Sequence, residues 1–204
     1  VEYTPDRLRQ ELEEDRVILV DTRHNSLVHE GTVAGSLNIP GAAKTASFGA
    51  WAYDPESETR PVVLLAVSDE DARRMRDHLV RVGIDAVRGW IGSLDGLELV
   101  VPRQVSPTEL DDVDRVMLLD VRNKTEFASG HVPGAHQLSG GRVLWHLDEL
   151  PERGTIVSYC QSGVRNSVAA SALRRAGYDV AEMEGSYQGW VSVPGNVPAV
   201  PAER

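Results

Sequence analysis

Ile156-Val157-Ser158-Tyr159-Cys160-Gln161-Ser162-Gly163-Val164-Arg165-Asn166-Ser167 carries the one cysteine of this 204-residue chain. Four β-prone residues lead into the thiol, a short loop with glycine and arginine follows, and an Ala-rich helical pattern runs from near Arg165 to Ala176. Strand, tight loop and helix in that order are the building unit of a parallel α/β sheet. The order sets Cys160 at the carboxyl end of a strand, with a helix N-terminus opening beneath it. Such a place offers backbone N–H donors and partial positive charge, which favour a thiolate. A free cysteine is more often a buried packing residue. The loop that follows argues here for a nucleophile.

Outward from that stretch, Val116 to Val121 predicts a second strand and Asp179 to Met183 a third. Strands alternating with helical patterns predict an α/β fold, a central parallel sheet with helices on both faces. Ligand sites in such sheets lie at the carboxyl ends of strands. Asp120, Arg122 and Cys160 all fall at those ends, so one sheet edge is expected to gather them.

The chain also repeats itself. Asp15-Arg16-Val17-Ile18-Leu19-Val20-Asp21-Thr22-Arg23 returns as Asp114-Arg115-Val116-Met117-Leu118-Leu119-Asp120-Val121-Arg122, and Gly31-Thr32-Val33-Ala34-Gly35-Ser36 returns as Gly130-His131-Val132-Pro133-Gly134-Ala135. Thr4-Pro5 and Ser106-Pro107 each read as an N-cap followed by proline at the first helical position. A period of about 100 residues is the size of a domain rather than of a solenoid unit. Two copies of one domain are therefore predicted, residues 1–100 and 101–204, joined near Glu98 to Val105. Aligned on Gly83 and Gly177, the first copy places Ala66 opposite Cys160 and Asp71 opposite Arg165. With no nucleophile, and with Asp69, Glu70 and Asp71 where an anion would bind, that copy is expected to be catalytically inactive. The same acids also suit the first turn of a helix.

Composition sets outer limits. The chain is 41% hydrophobic and 25% charged, as globular proteins are, and its formal net charge of −10 argues against nucleic acid or an anionic membrane as partner. No apolar run approaches the ~18 residues of a membrane span. A single cysteine excludes an internal disulfide and suits a reducing, cytoplasmic setting. The start at Val1-Glu2-Tyr3, without Met or a signal-peptide pattern, suggests a fragment or a processed chain. The six histidines form no H-x-x-x-H pair, and no metal or other cofactor is expected. The tail from Pro194 onward reads as loosely attached, and the four tryptophans read as packing residues.

The loop itself has the spacing C-x4-R with Gly163 inside. Curled around the sulfur, it would turn the amides of Gln161, Ser162, Gly163, Val164 and Arg165 inward as an anion nest, with Arg165 adding a full charge. A thiolate in that setting attacks soft electrophilic sulfur well. No second cysteine exists to resolve a disulfide within the chain.

Taken together, Leu119-Asp120-Val121-Arg122, Glu126-Phe127, Gly130-His131-Val132-Pro133-Gly134-Ala135, the Cys160 to Arg165 loop and Gly185-Ser186-Tyr187-Gln188-Gly189-Trp190 resemble a rhodanese domain, over essentially the whole second copy. The resemblance implies a sulfurtransferase. Cys160 would take a sulfane sulfur from thiosulfate or a small persulfide, hold it as a persulfide, and pass it to a thiol or cyanide. The amides of Gln161, Ser162, Gly163 and Val164 would cradle the outer sulfur, Arg165 would hold the anionic donor or orient the loop, and Asp120 and Arg122 would organise the site. Read from the residues alone, Asp120 and Arg122 serve equally as a strand-end ion pair, and Glu126 as a support of its helix. Ala46-Ser47-Phe48-Gly49-Ala50-Trp51 with Pro61 to Ala66 is similar to the linking part of persulfide dioxygenase fusions. That likeness implies a metallo-β-lactamase-fold domain upstream. Two rivals stand beside this reading. One is a non-enzymatic module that only carries sulfur for a partner or only docks, the purely docking form showing no added sulfur on Cys160; the other is a Cdc25-like phosphatase, which would need C-x5-R, one residue longer than the loop here.

Overall fold

Each strand predicted in the second repeat is present in the computed structural model, which describes residues 1–41 and 44–200. The chain divides into two compact units, Val1–Pro102 and Arg103–Arg204.

In the first unit, β1 (Ile18–Asp21), β2 (Leu37–Asn38), β3 (Val62–Leu65) and β4 (Val87–Ile91) form a parallel sheet in the order β2-β1-β3-β4. Helix α1 (Pro5–Glu13) starts as its sequence predicts: Thr4 Oγ1 accepts the Arg7 N–H and proline takes the first helical position. A second helix, α2 (Asn25–Val28), follows β1, and α3 (Thr45–Ala52) packs on α4 (Asp69–Leu79), where Gly49 leaves no room for a side chain against Leu79 and Ile84.

The second unit holds β5 (Gln104–Val105), β6 (Met117–Asp120), β7 (His136–Gln137), β8 (Ile156–Tyr159) and β9 (Val180–Met183) in the order β5-β9-β8-β6-β7, all parallel. Three helices accompany them: α5 (Lys124–Ala128), α6 (Val164–Arg175) and α7 (Ser186–Val191). Side chains alternate across a strand, and the core obeys that period. Leu119, Ile156 and Val180 face one cluster with Ala169, Ala170 and Leu173 of α6. Leu118, Val157, Ala181 and Met183 face a second cluster with Trp190 of α7. Both sheet faces are covered, which is why β8 and β9 are buried at every position. The α/β reading with two parallel sheets flanked by helices is borne out.

Three local expectations fail. Ser106-Pro107 starts no helix: Ser106 Oγ accepts the Thr108 N–H, its carbonyl accepts the Glu109 N–H, and the chain continues in turns. The next residues include Asp111, Asp112 and Asp114, poor helix formers, whereas α1 is braced by Arg7–Glu11 and Arg9–Asp6 pairs. The tail is pinned as far as Ala199, which exchanges two backbone hydrogen bonds of 2.9 Å with His131. Among the tryptophans, Trp190 is buried while Trp145 is exposed, set in a 3₁₀ turn (Gly140–Trp145) where no core reaches its ring.

Candidate active site

Strand β8 ends at Tyr159, and Cys160 is the next residue, 1% exposed. Three residues later the chain must turn sharply into α6. Gly163 makes that turn at φ 109°, a conformation open to glycine and strained for other residues. The turn aims the Gly163 N–H back at the sulfur, 3.1 Å from Cys160 Sγ. The N–H groups of Ser162, Val164 and Arg165 take no acceptor among the described residues, as first-turn donors commonly do. Asn166, in the first turn of α6, fixes the helix start: its side-chain amide donates to the Ser158 carbonyl and to Glu182, which also accepts from Arg174.

From the other side, α7 closes on the loop. The Tyr187 N–H donates to the Cys160 carbonyl at 2.9 Å and the Gln188 N–H to the Gln161 carbonyl at 3.1 Å. Ser186 Oγ accepts the Cys160 N–H at 3.2 Å and lies 4.0 Å from Sγ. Ser186 sits at φ 54°, one of two non-glycine residues with positive φ among those described. The resemblance carried by Gly185 to Trp190 assigns Ser186 no role. No local pattern signals it, because its contact is 26 residues away.

Asp120 and Arg122 lie at the end of β6, beside β8 in register Asp120–Tyr159. They are 0% and 2% exposed and form the strand-end ion pair, which is buried. The guanidinium makes a forked bond to Asp120, with Nη2 2.7 Å from Oδ2, and donates to the Gly130 carbonyl at 2.8 Å and to Gln161 Oε1 at 3.2 Å. Its carbon stands 3.9 Å over the Tyr187 ring. Burial alone would lower the Arg122 pKa, but the bonds and charge of Asp120 outweigh it and raise it. Burial likewise pushes the Tyr159 phenol well up, and the charge of Asp120 adds to that.

Arg165 is already paired. Rather than standing free for an anion, it forms a fork with Glu126, both N···O distances 2.7 Å. Glu126 also closes a capping box on α5, accepting the Asn123 N–H while Asn123 Oδ1 accepts the Glu126 N–H at 2.8 Å. Bonding to Arg165 holds the Glu126 carboxyl below its ordinary range against the opposing effect of burial. Bonding to Glu126 raises Arg165, opposed by burial and helped by the nearby Cys160. The Asn-x-x-Glu spacing was legible as a cap; its reach to Arg165 was not.

Beside the loop lies a cleft of about 330 Å³ lined by Arg122, Thr125, Glu126, Ser129, Gly130, Gln161 and Tyr187. Gln161, between Cys160 and this cleft, turns its amide to Arg122, while Ser162 is exposed. The predicted residues Cys160, Gln161, Gly163, Arg165, Asp120 and Arg122 thus meet at one sheet edge.

The first unit keeps part of this frame. Arg23 forks onto Asp21 (Nη2–Oδ2 2.6 Å) and donates to the Gly31 carbonyl at 2.6 Å, as Arg122 does to Asp120 and Gly130. Ala66 follows β3 as Cys160 follows β8. The loop after it is one residue shorter, because Ser68 caps α4 directly. Counted from the helix start, Glu70 and not Asp71 stands where Arg165 does. Asp71 instead accepts the Val67 N–H and gives its own to Ser68, an ordinary cap.

Among the described residues no three histidine, cysteine, aspartate or glutamate side chains converge as a metal site, and no helix is long and apolar enough to cross a membrane. Residues 107–193 match the rhodanese-like domain family. A sulfurtransferase from Allochromatium vinosum is 34% identical over 82 residues, 40% of this chain and 77% of that protein. The thiosulfate sulfurtransferase GlpE of Pseudoalteromonas translucida is 31% identical over 83 residues, 40% of this chain and 79% of its own length. A solved thiosulfate sulfurtransferase from Pseudomonas aeruginosa aligns with all of this chain and 46% of its own, at 20% identity and a TM-score of 0.42. With a thiol loop of this geometry and relatives of this identity matched over more than three quarters of their length, the chain belongs to the rhodanese-like family.

Proposed function

We propose that the second unit is a sulfurtransferase working through a persulfide on Cys160. The Gly163 N–H on Sγ, at the mouth of the α6 N-terminus, carries the reading: it stabilises negative charge on the sulfur that attacks. The Cys160 thiolate attacks the sulfane sulfur of the donor, thiosulfate or a small persulfide. The donor's own sulfur bond breaks, its electron pair leaves with sulfite or a thiolate, and Cys160 holds the extra sulfur. The N–H groups of Ser162, Val164 and Arg165 are the donors available to that outer atom. A thiol or cyanide then attacks it, and Cys160 leaves as thiolate. Gln161, Asp120 and Arg122 fix the loop from the cleft side.

The first unit, with Ala66 in place of the thiol and a shorter loop, is read as inactive. The sequence similarity of residues 46–51 and 61–66 to fusion linkers supports a metallo-β-lactamase-fold domain upstream, and the lone cysteine supports a cytoplasmic setting. Incubation with thiosulfate or glutathione persulfide, followed by intact mass measurement, tests the central step. One added sulfur on the wild-type chain supports it. No added sulfur, or hydrolysis of an aryl phosphate without thiocyanate from thiosulfate and cyanide, would oppose it.

A further inference from the structure

The charges around Cys160 cancel. Two cations approach the loop, Arg122 and Arg165, and each is forked onto a carboxylate: Arg122 onto Asp120, Arg165 onto Glu126. The first pair is buried and also recurs in the unit without a thiol, as Arg23 on Asp21, so it belongs to the frame of the fold. The second pair has no such counterpart: α4 opens with acids, and its Asp71 is spent on a cap and on Arg74. Glu126 and Arg165 are about a quarter exposed, and Glu126 stands on the wall of the cleft beside the loop. A bidentate fork is the strongest arrangement a guanidinium makes with an anion, so a donor anion that approaches Arg165 meets a cation already neutralised by Glu126.

We propose, on the footing of the sulfurtransferase reading above, that Glu126 is a specificity-determining residue: by occupying Arg165 it disfavours the thiosulfate dianion and favours donors whose sulfane sulfur sits on an organic thiol. The two half-reactions differ in the charge they bring. With thiosulfate, a thiolate meets a dianion, and the products are Cys160-S–S⁻ and sulfite dianion. With an alkyl persulfide, the thiolate attacks the outer sulfur of neutral R–S–SH, giving Cys160-S–SH and R–S⁻. Each exchange breaks one S–S bond and forms one, and each conserves charge. The first needs an unpaired cation near the reacting atoms and the second does not. The cleft of about 330 Å³ beside Gln161, with Thr125, Ser129 and Tyr187 in its walls, offers room for the organic part of such a donor.

Rates of sulfur loading onto Cys160, measured by quenched mass spectrometry with thiosulfate and with glutathione persulfide, decide this. Wild-type protein is expected to load from the persulfide at least about tenfold faster at equal concentration. Glu126→Gln, which keeps a side chain able to accept the Asn123 N–H but removes the charge, is expected to speed thiosulfate loading about tenfold and so to narrow the preference for the persulfide by about that factor. Equal or faster loading of the wild type from thiosulfate overturns the proposal without any variant. So does a variant that slows both donors alike, the mark of a merely structural role. If neither donor leaves sulfur on Cys160, the sulfurtransferase reading falls as well, which separates the two failures.

Discussion

Ser186 Oγ accepts the backbone N–H of Cys160 at 3.2 Å from a residue held at φ 54°. A strained residue on α7 thus fixes the first atom of a loop that follows β8, and both ends of the contact are buried. The Ser186→Ala variant leaves that N–H without its acceptor and is expected to lose about 1–3 kcal/mol of stability in the second unit. Ser186→Gly loses the same hydroxyl but relieves the positive φ, so it should be the milder change by about 1 kcal/mol. Thermal denaturation of both variants checks the order; a glycine variant less stable than the alanine variant contradicts the geometry.

Asp120 and Arg122 form a buried fork. Removing one partner strands a charge, so Asp120→Ala is expected to cost about 3–5 kcal/mol. In the first unit Arg23 is 26% exposed, and Asp21→Ala should cost visibly less because water screens the orphaned guanidinium. Chemical denaturation of the two variants, read by the loss of each unit's transition, measures the difference.

Protonation of Glu126 should be felt in stability. Its folded-state pKa lies below the ordinary carboxylate value of 4.5 because Arg165 bonds the charged form. The linkage runs in one direction: the contribution is fully present above about 4.5 and is lost as the pH falls through the depressed value. The pair is partly exposed, which limits its worth to about 1 kcal/mol. Melting curves from pH 7 down to pH 3 should therefore fall more steeply for the wild type than for Glu126→Gln. Parallel curves would show that the fork contributes nothing.

Ala66 occupies the place of the thiol in the first unit, yet its loop is one residue shorter and turns into the helix through extended Ser68 where the other loop has Gly163 at positive φ. Restoring the atom without the loop should not restore chemistry. In a Cys160→Ser background, Ala66→Cys is expected to gain no sulfur from either donor, as intact mass spectrometry would report. Efficient loading there would show that the thiol alone suffices.

Much of this is legible in the sequence alone. Runs such as Met117–Asp120 and Ile156–Tyr159 are apolar because both sheet faces are covered, so their pattern carries the fold directly. The repeat and the ends of the strands then brought Asp120, Arg122 and Cys160 to one edge. Ser106-Pro107 misled because a cap signal is local, while the residues after it do not sustain a helix. The partners that define the site were hidden for a different reason. Glu126 meets Arg165 across 39 positions and Ser186 meets Cys160 across 26, and such contacts leave no trace in local spacing.

The central claim is that Cys160 carries sulfur. Intact mass spectrometry after incubation with glutathione persulfide, followed by addition of cyanide, tests it most directly. The wild-type chain should gain the mass of one sulfur atom and lose it again as thiocyanate forms, while Cys160→Ser gains nothing and turns over nothing. Undiminished thiocyanate production by the Cys160→Ser chain would contradict it.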